Sequence, residues 1–206
     1  MLAVQLACVG IVNLLWALGS VGFSHLTRKR AYVVKNVVKG TCLLLMTPIS
    51  IGTGYDAVVR GTWDADLFRL CGCMYSAHDI NGLIWMWPKL PTTTRAHHIC
   101  VSACSVASMY LIDYEDPESL WRGIGMLGVC SAVTGPVNLW LGLRHVRPYP
   151  MLQWVAARLY AVSICFSFLW QVAHLATHMS YYAVPYVLML ITIFYDDWVL
   201  LNYMIV

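Results

Sequence analysis

The chain has 206 residues, of which 60% are hydrophobic and only 11% charged, and its mean hydropathy is +0.66. That balance is too apolar for a soluble globular domain. The net charge of +3 sits in a few short loops, which suits anionic lipid headgroups, and there is no nucleic-acid-binding pattern.

About 20 apolar residues cross about 30 Å of hydrocarbon, and this rule divides the sequence into seven candidate spans: 1–22, 37–58, 67–87, 97–113, 120–143, 151–176 and 183–206. The fourth is short and the second contains Pro48, so six or eight crossings stay open. The expected fold is an all-α, polytopic transmembrane bundle, with an N-terminal helix over residues 1–23 and a helical bundle over 24–206. No basic residue precedes the first span, whereas Arg28, Lys29, Arg30, Lys35 and Lys39 follow it. This is the reverse of a secretory signal peptide and predicts a retained helix.

Further basic residues fall between spans three and four (Lys89, Arg95) and between spans five and six (Arg144, Arg147). The opposite loops carry Asp64 and Asp66, then Asp113, Glu115, Asp116 and Glu118. The positive-inside rule then places the N-terminus outside and the C-terminus in the cytoplasm, or in the matrix for an organelle of bacterial descent. No connection is long enough for a soluble domain, and neither low-complexity sequence nor a clear repeat occurs.

The eight cysteines (Cys8, Cys42, Cys71, Cys73, Cys100, Cys104, Cys130 and Cys165) lie in the apolar spans, where thiols behave as small hydrophobes and no disulfide framework is expected. Trp85, Trp87, Tyr110, Tyr181, Tyr182 and Trp198 fall near span ends and read as an aromatic belt. Pro48 and Pro136 are expected to kink their helices. Gly52, Gly54, Gly123, Gly125 and Gly128 permit close helix contact or a groove.

A series of motifs runs through spans three to six. Tyr75-Ser-Ala-His-Asp79 is followed by Lys89-Leu-Pro, then by Arg95-Ala-His97-His98 opening a helix, then by Thr134-Gly-Pro136-Val-Asn138 ahead of Arg144, and finally by Arg158 early in the next span. In this order they resemble the TLC family, which includes the ceramide synthases and other lipid-handling membrane proteins. The resemblance covers residues 24–200. It implies a TLC-like bundle that meets lipid or acyl chains, in the endoplasmic reticulum or alternatively the mitochondrial inner membrane. Several positions depart from the synthases: Val101 stands in the place of a threonine, Ala132 and Gly135 stand where acidic residues belong, and His78-Asp79 precedes the double histidine. The implied synthase site is degenerate.

Depth organises the polar residues, because an ionisable group in hydrocarbon is costly unless paired or wetted. At a 1.5 Å rise per residue, Asp79 lies about 12 Å from the inner end of its span, Arg158 about 10 Å and Asp197 about 9–13 Å. His97, His98, Asn138 and Lys39 share this inner third, so one polar layer is expected. It reads either as a catalytic pocket or as a hydrogen-bonded network that fixes helix packing. In the first reading a histidine acts as base, Asp79 orients its ring, and Arg158 or Lys39 holds a phosphate or acyl-CoA headgroup. Arg158 is matched in depth to Asp196 and Asp197, which predicts a buried ion pair.

Adjacent helical residues point about 100° apart, so at most one of His97 and His98 faces a pocket squarely. His97, Cys100 and Cys104 share a face, but no second cluster completes that set; Gln171, His174 and His178 share one at the outer end of span six, where histidines are expected to face water or lipid headgroups, so no metal site is expected. Asp196 and Asp197 lack acidic partners in the outer half, which disfavours a transporter or channel.

These readings converge on a seven-helix bundle that binds lipid or acyl chains through Lys39, Asn138 and Arg158. It needs no cofactor, is non-catalytic, and acts in lipid handling or as an accessory subunit of a larger membrane complex. Membrane lipids and other membrane subunits are its expected partners. The alternative is an acyl-CoA-dependent acyltransferase, with acyl-CoA as substrate and His97, His98 and Asp79 as candidate catalytic residues.

Overall fold

The computed structural model describes residues 1–26, 29–110, 112–116, 118–180 and 183–205. The parts expected of Arg28 in the basic cluster and of Tyr181 and Tyr182 in the aromatic belt lie outside the described residues. The described regular structure is entirely helical: α1 (Leu2–Gly22), α2 (Arg30–Val59), α3 (Ala65–Met86), α4 (Thr92–Tyr110), α5 (Arg122–Ala132), α6 (Gly135–Leu143), α7 (Pro150–Thr177) and α8 (Ala183–Ile205), with a short 3-10 turn at Trp87–Lys89.

Four helices, α1, α2, α7 and α8, are long and apolar enough to cross a membrane, and α5 with α6 makes a fifth if the two halves, bent by 47°, count as one. The seven expected spans thus reduce to four or five on length and composition. Helices α3 and α4 fall short because they carry polar side chains, and those chains are turned inward. Ser76, His78, Asp79 and Asn81 on α3, and His97, His98, Ser105 and Ser108 on α4, are all buried. Overall composition counts such residues against a span whichever way they point. The outward faces of α1, α7 and α8 are apolar instead, with Leu6, Leu14, Val162, Leu169, Leu188 and Ile191 exposed, as suits lipid.

Two boundaries shift in ways that matter for the site. Helix α2 begins at Arg30, so Lys35 and Lys39 belong to its first turns and are buried at 5% and 4% exposure. Helix α4 begins at Thr92, so His97 and His98 sit in its second turn and are buried rather than solvated at a helix start. Elsewhere the local signals are ordinary. Asp64 caps α3 by accepting from the backbone N–H groups of Asp66 (3.1 Å) and Leu67 (3.0 Å), which satisfies two donors of the first turn. The turn before it uses Gly61 at φ 68°, a conformation glycine adopts without penalty.

Pro136 does not kink a continuous helix but stands in the first turn of α6, where its missing N–H is harmless. Pro48 lies inside α2, which continues through it. The tightest helix contact is between α2 and α6, and neither of its glycines was foreseen in that role. A Cβ on Gly40 would come within 2.7 Å of the Leu139 backbone nitrogen and 2.9 Å of the Gly135 carbonyl, and a Cβ on Gly135 would meet the Gly40 carbonyl at 3.0 Å. Here backbone lies on backbone. Gly52, by contrast, faces open space.

Helix α1 packs on α2 and α3 around Cys8, Val12, Trp16, Val34 and Ala77. A second core forms at the far end, where Trp63, Phe68 and Tyr114 stack at 4.8 and 5.4 Å between successive rings. Every cysteine is free. At the end bearing the basic loops, Arg144 hydrogen-bonds Tyr203, reaches the Tyr32 hydroxyl at 3.5 Å, and lies over the Trp140 ring. Beside it Lys29 Nζ donates to His145 Nδ1 at 3.3 Å. Burial, together with the Lys29 and Arg144 cations, holds the His145 imidazole below its ordinary pKa, so this loop histidine is neutral at pH 7.

Candidate functional site: a polar chamber with apolar walls

A cavity of about 310 Å³ lies among α2, α4, α5, α6, α7 and α8. One end is charged, with Lys35, Lys39, His97, His98, Asp196 and Asp197 on its wall. The rest is largely apolar and includes Leu127, Val137, Leu141, Ile164 and Leu200. A narrower pocket shares Tyr75, His97, Leu127 and Ser131 with it and continues past Gly72, Gly125 and Gly128.

The charged end is assembled from four helices. Lys35 and Lys39 are one turn apart on α2 and therefore share a face. Lys39 Nζ meets Asp79 Oδ1 of α3 at 2.6 Å, with both side chains buried, and lies 4.2 Å over the Tyr75 ring. The same carboxylate oxygen is 2.9 Å from His98 Nδ1 on α4, although the pair is not aligned for a hydrogen bond. On the other side of that imidazole, Lys35 Nζ lies 3.1 Å from His98 Nε2. Gly82 of α3 lies beside this pair, where a Cβ would reach Lys35 Cε at 3.4 Å and His98 Nε2 at 3.6 Å in ordinary contact. His97 turns toward α8 instead, with Nδ1 3.6 Å from Asp196 Oδ2 and 3.9 Å from Asp197 Oδ1. Thr94 donates to Asp196 (3.2 Å) and Tyr160 to Asp197 (2.7 Å). The two adjacent histidines thus serve different acids.

Arg158 is not part of this assembly. It is exposed, its guanidinium lies 5.2 Å over the Trp154 ring, and it makes no ion pair with Asp196 or Asp197 among the described residues. Its depth matched theirs, but depth does not fix direction around a helix. Tyr160, two residues on and therefore about 200° away, is the α7 residue that reaches Asp197. The phosphate-holding role expected of Arg158 fails for the same reason, since it does not line the cavity. Asn138 does line it, half-buried, and donates to the Thr134 carbonyl at 3.3 Å.

The positions where the synthase pattern has acids cannot hold them here. Ala132 is 2% exposed and packs with Leu43 and Tyr75, and Gly135 is pressed against α2. Carboxylates reach the chamber from α8 instead. Cys100 and Cys104 pack against the far apolar core and not beside the His97 ring nitrogens. His174 Nε2 contacts the Leu120 carbonyl at 3.0 Å and Gln171 donates to the Gly123 carbonyl at 2.9 Å, so this outer cluster ties α7 to α5.

Lys35, Thr94, Tyr160 and Gly82 are the site residues that spacing did not single out. Two lysines one turn apart in an otherwise apolar helix were the available signal, since neither can face lipid. Chemically, His98 beside Asp79 has the makings of an oriented base, but Lys35 occupies its other nitrogen. No family model matches the chain, and no curated protein or solved structure is significantly similar to it.

Proposed function

We propose that the protein is a seven-crossing, TLC-type bundle that holds one single-chain amphipathic lipid, with the polar end among Lys35, His97 and Asp196 and the tail along Leu127, Leu141, Ile164 and Leu200. The observation that carries this reading is the joining of a charged end and an apolar wall in one cavity. Its volume of about 310 Å³ is at the small end of the range for small-molecule sites, which favours one chain over two. Lipid handling follows, either alone or as the membrane-embedded subunit of a larger complex.

Crossing by α3 and α4 belongs to this proposal. They have 22 and 19 residues, or about 33 and 28 Å of helix, with Ile84, Trp85, Ile99 and Val106 exposed and the polar faces buried. Single cysteines introduced at Lys29 and Asp116 are expected to be labelled by an impermeant reagent from opposite sides of a sealed membrane. Labelling of both from one side would refute seven crossings.

Native mass spectrometry of gently solubilised protein is expected to show one bound amphiphile per chain. Leu200→Trp, which fills the tail region, should reduce the occupancy by about 10-fold or more, as loss of about 1.4 kcal/mol does. Wild-type protein that is uniformly lipid-free, or a Leu200→Trp protein as fully loaded as wild type, would contradict the proposal. The 2.9 Å approach of His98 to Asp79 favours a second reading, acyl transfer from an acyl-CoA. Turnover abolished by His98→Ala, with fold and bound lipid retained, would promote it over simple binding.

A further inference from the structure

Three polar atoms at the charged end are buried without a hydrogen bond among the described residues: Asp79 Oδ2, His97 Nδ1 and His98 Nδ1. Buried polar atoms are nearly always satisfied, and three on neighbouring residues leave room for a common partner. The three residues offer ligand atoms that all lie within 4.8 Å of one another. The two rings stand nearly perpendicular, at 82°, with centroids 5.8 Å apart. Two nitrogens that leave the helix in different directions can therefore turn toward one point.

Charge identifies the kind of partner. Asp79, Asp196 and Asp197 bring three carboxylates to this end, against the ammonium groups of Lys35 and Lys39. Lys39 is committed to Asp79 Oδ1. Asp196 and Asp197 are met by Thr94, Tyr160 and His97, with no lysine or arginine at ion-pair distance among the described residues. A second cation beside His97 would relieve two partly buried carboxylates that otherwise repel each other.

We infer that Asp79, His97 and His98, with Asp196 as a fourth donor, form a binding site for a divalent transition-metal ion of the zinc type. Two imidazoles with carboxylates favour a first-row transition ion over calcium or magnesium, which prefer all-oxygen shells. Tetrahedral zinc holds nitrogen and oxygen donors at about 2.0–2.2 Å, which sets neighbouring donors about 3.3 Å apart. The side chains must therefore draw in by about 1.5 Å from the widest separation.

Proton balance follows from the neighbours. Ligation through His98 Nδ1 requires that nitrogen to be bare, so the ring proton moves to Nε2 and the Lys35 ammonium gives up one proton to solvent to accept from it. The chain then releases a proton as the metal enters, and affinity falls with falling pH. A carboxylate or phosphate headgroup in the cavity would enter as a fifth donor or in place of Asp196. That last role rests on the lipid reading, whereas the metal site does not.

The test is titration of the purified, chelator-stripped full chain with zinc by calorimetry and with cobalt(II) by visible absorption. The expected result is one ion per chain, tetrahedral cobalt bands, and net proton release seen by repeating the titration in buffers of different ionisation enthalpy. His97→Gln and His98→Gln should each weaken binding by more than the about 10–100-fold that loss of an outer-shell partner costs, and His178→Gln should change nothing. Among the described residues His97 makes no hydrogen bond to another side chain, so His97→Gln keeps the fold testable, and a thermal melt checks it. The native lipid count on the same samples reports separately on the lipid reading. Absence of saturable zinc binding by wild type would overturn the inference. So would binding untouched by His97→Gln but lost in His178→Gln, or a His97 imidazolium, shown by NMR, that persists in the presence of zinc.

Discussion

Replacing Lys39 by leucine is expected to destabilise the protein by about 3–5 kcal/mol, the usual consequence of removing one partner from a buried ion pair. Lys39 Nζ and Asp79 Oδ1 are 2.6 Å apart, and their side chains are 5% and 0% exposed. Loss of the ammonium leaves the carboxylate beside His98 alone, with no solvent to turn to. The double variant Lys39→Leu/Asp79→Leu should recover most of the loss, because a buried pair replaced by apolar groups is often neutral or stabilising. Reversible unfolding in mixed micelles reads both numbers. A single variant within about 0.5 kcal/mol of wild type, the range of uninvolved surface changes, would mean that the pair is not buried as described.

The second large effect lies on the backbone. Gly40→Val should destabilise by about 3 kcal/mol or more, at or beyond the upper end of ordinary overpacking, because the first added carbon already meets the Leu139 nitrogen at 2.7 Å and the Gly135 carbonyl at 2.9 Å. Flexible side chains can give way, but two helix backbones must separate bodily. Gly52, on the same helix, has nothing within 4 Å of an added Cβ, so Gly52→Ala should be neutral or gain up to about 1 kcal/mol through helix propensity. Equal melting behaviour for the two variants would disprove the close α2–α6 contact.

These effects also mark how far the sequence could be read. Apolar runs and loop charges announced an all-helical chain with membrane-length segments, because burying backbone in lipid demands helices. Rise per residue placed Asp79, His97, His98 and Asp197 at one depth; His97, His98 and Asp197 do border one chamber, and Asp79 stands behind its wall against Lys39 and His98. Azimuth was another matter. Arg158 and Tyr160 are equally deep, yet only Tyr160 faces Asp197, and which side of α7 turns inward depends on its packing against α5, α6 and α8. The crossings proposed for α3 and α4 cannot be read from composition, which counts their buried polar groups against a span whichever way they point. Gly40 and Gly135 could not be paired from sequence either, since their contact joins residues 95 apart, and the groove-forming glycines that spacing drew attention to were others. The acids of α8, Asp196 and Asp197, were placed by depth but given the wrong partner: Arg158 was expected beside them, whereas His97, Thr94 and Tyr160 meet them.

The most direct test of a lipid held inside the bundle is photo-crosslinking with a single-chain fatty acyl probe that carries a diazirine at mid-chain, followed by peptide mapping. Adducts are expected at the cavity residues Leu141, Ile164 and Leu200, lost when Leu200→Trp fills the space and competed by unlabelled lipid. Adducts confined to outward-facing residues such as Leu14, Leu169 and Leu188, insensitive to Leu200→Trp, would show that lipid only bathes the protein and would contradict the account.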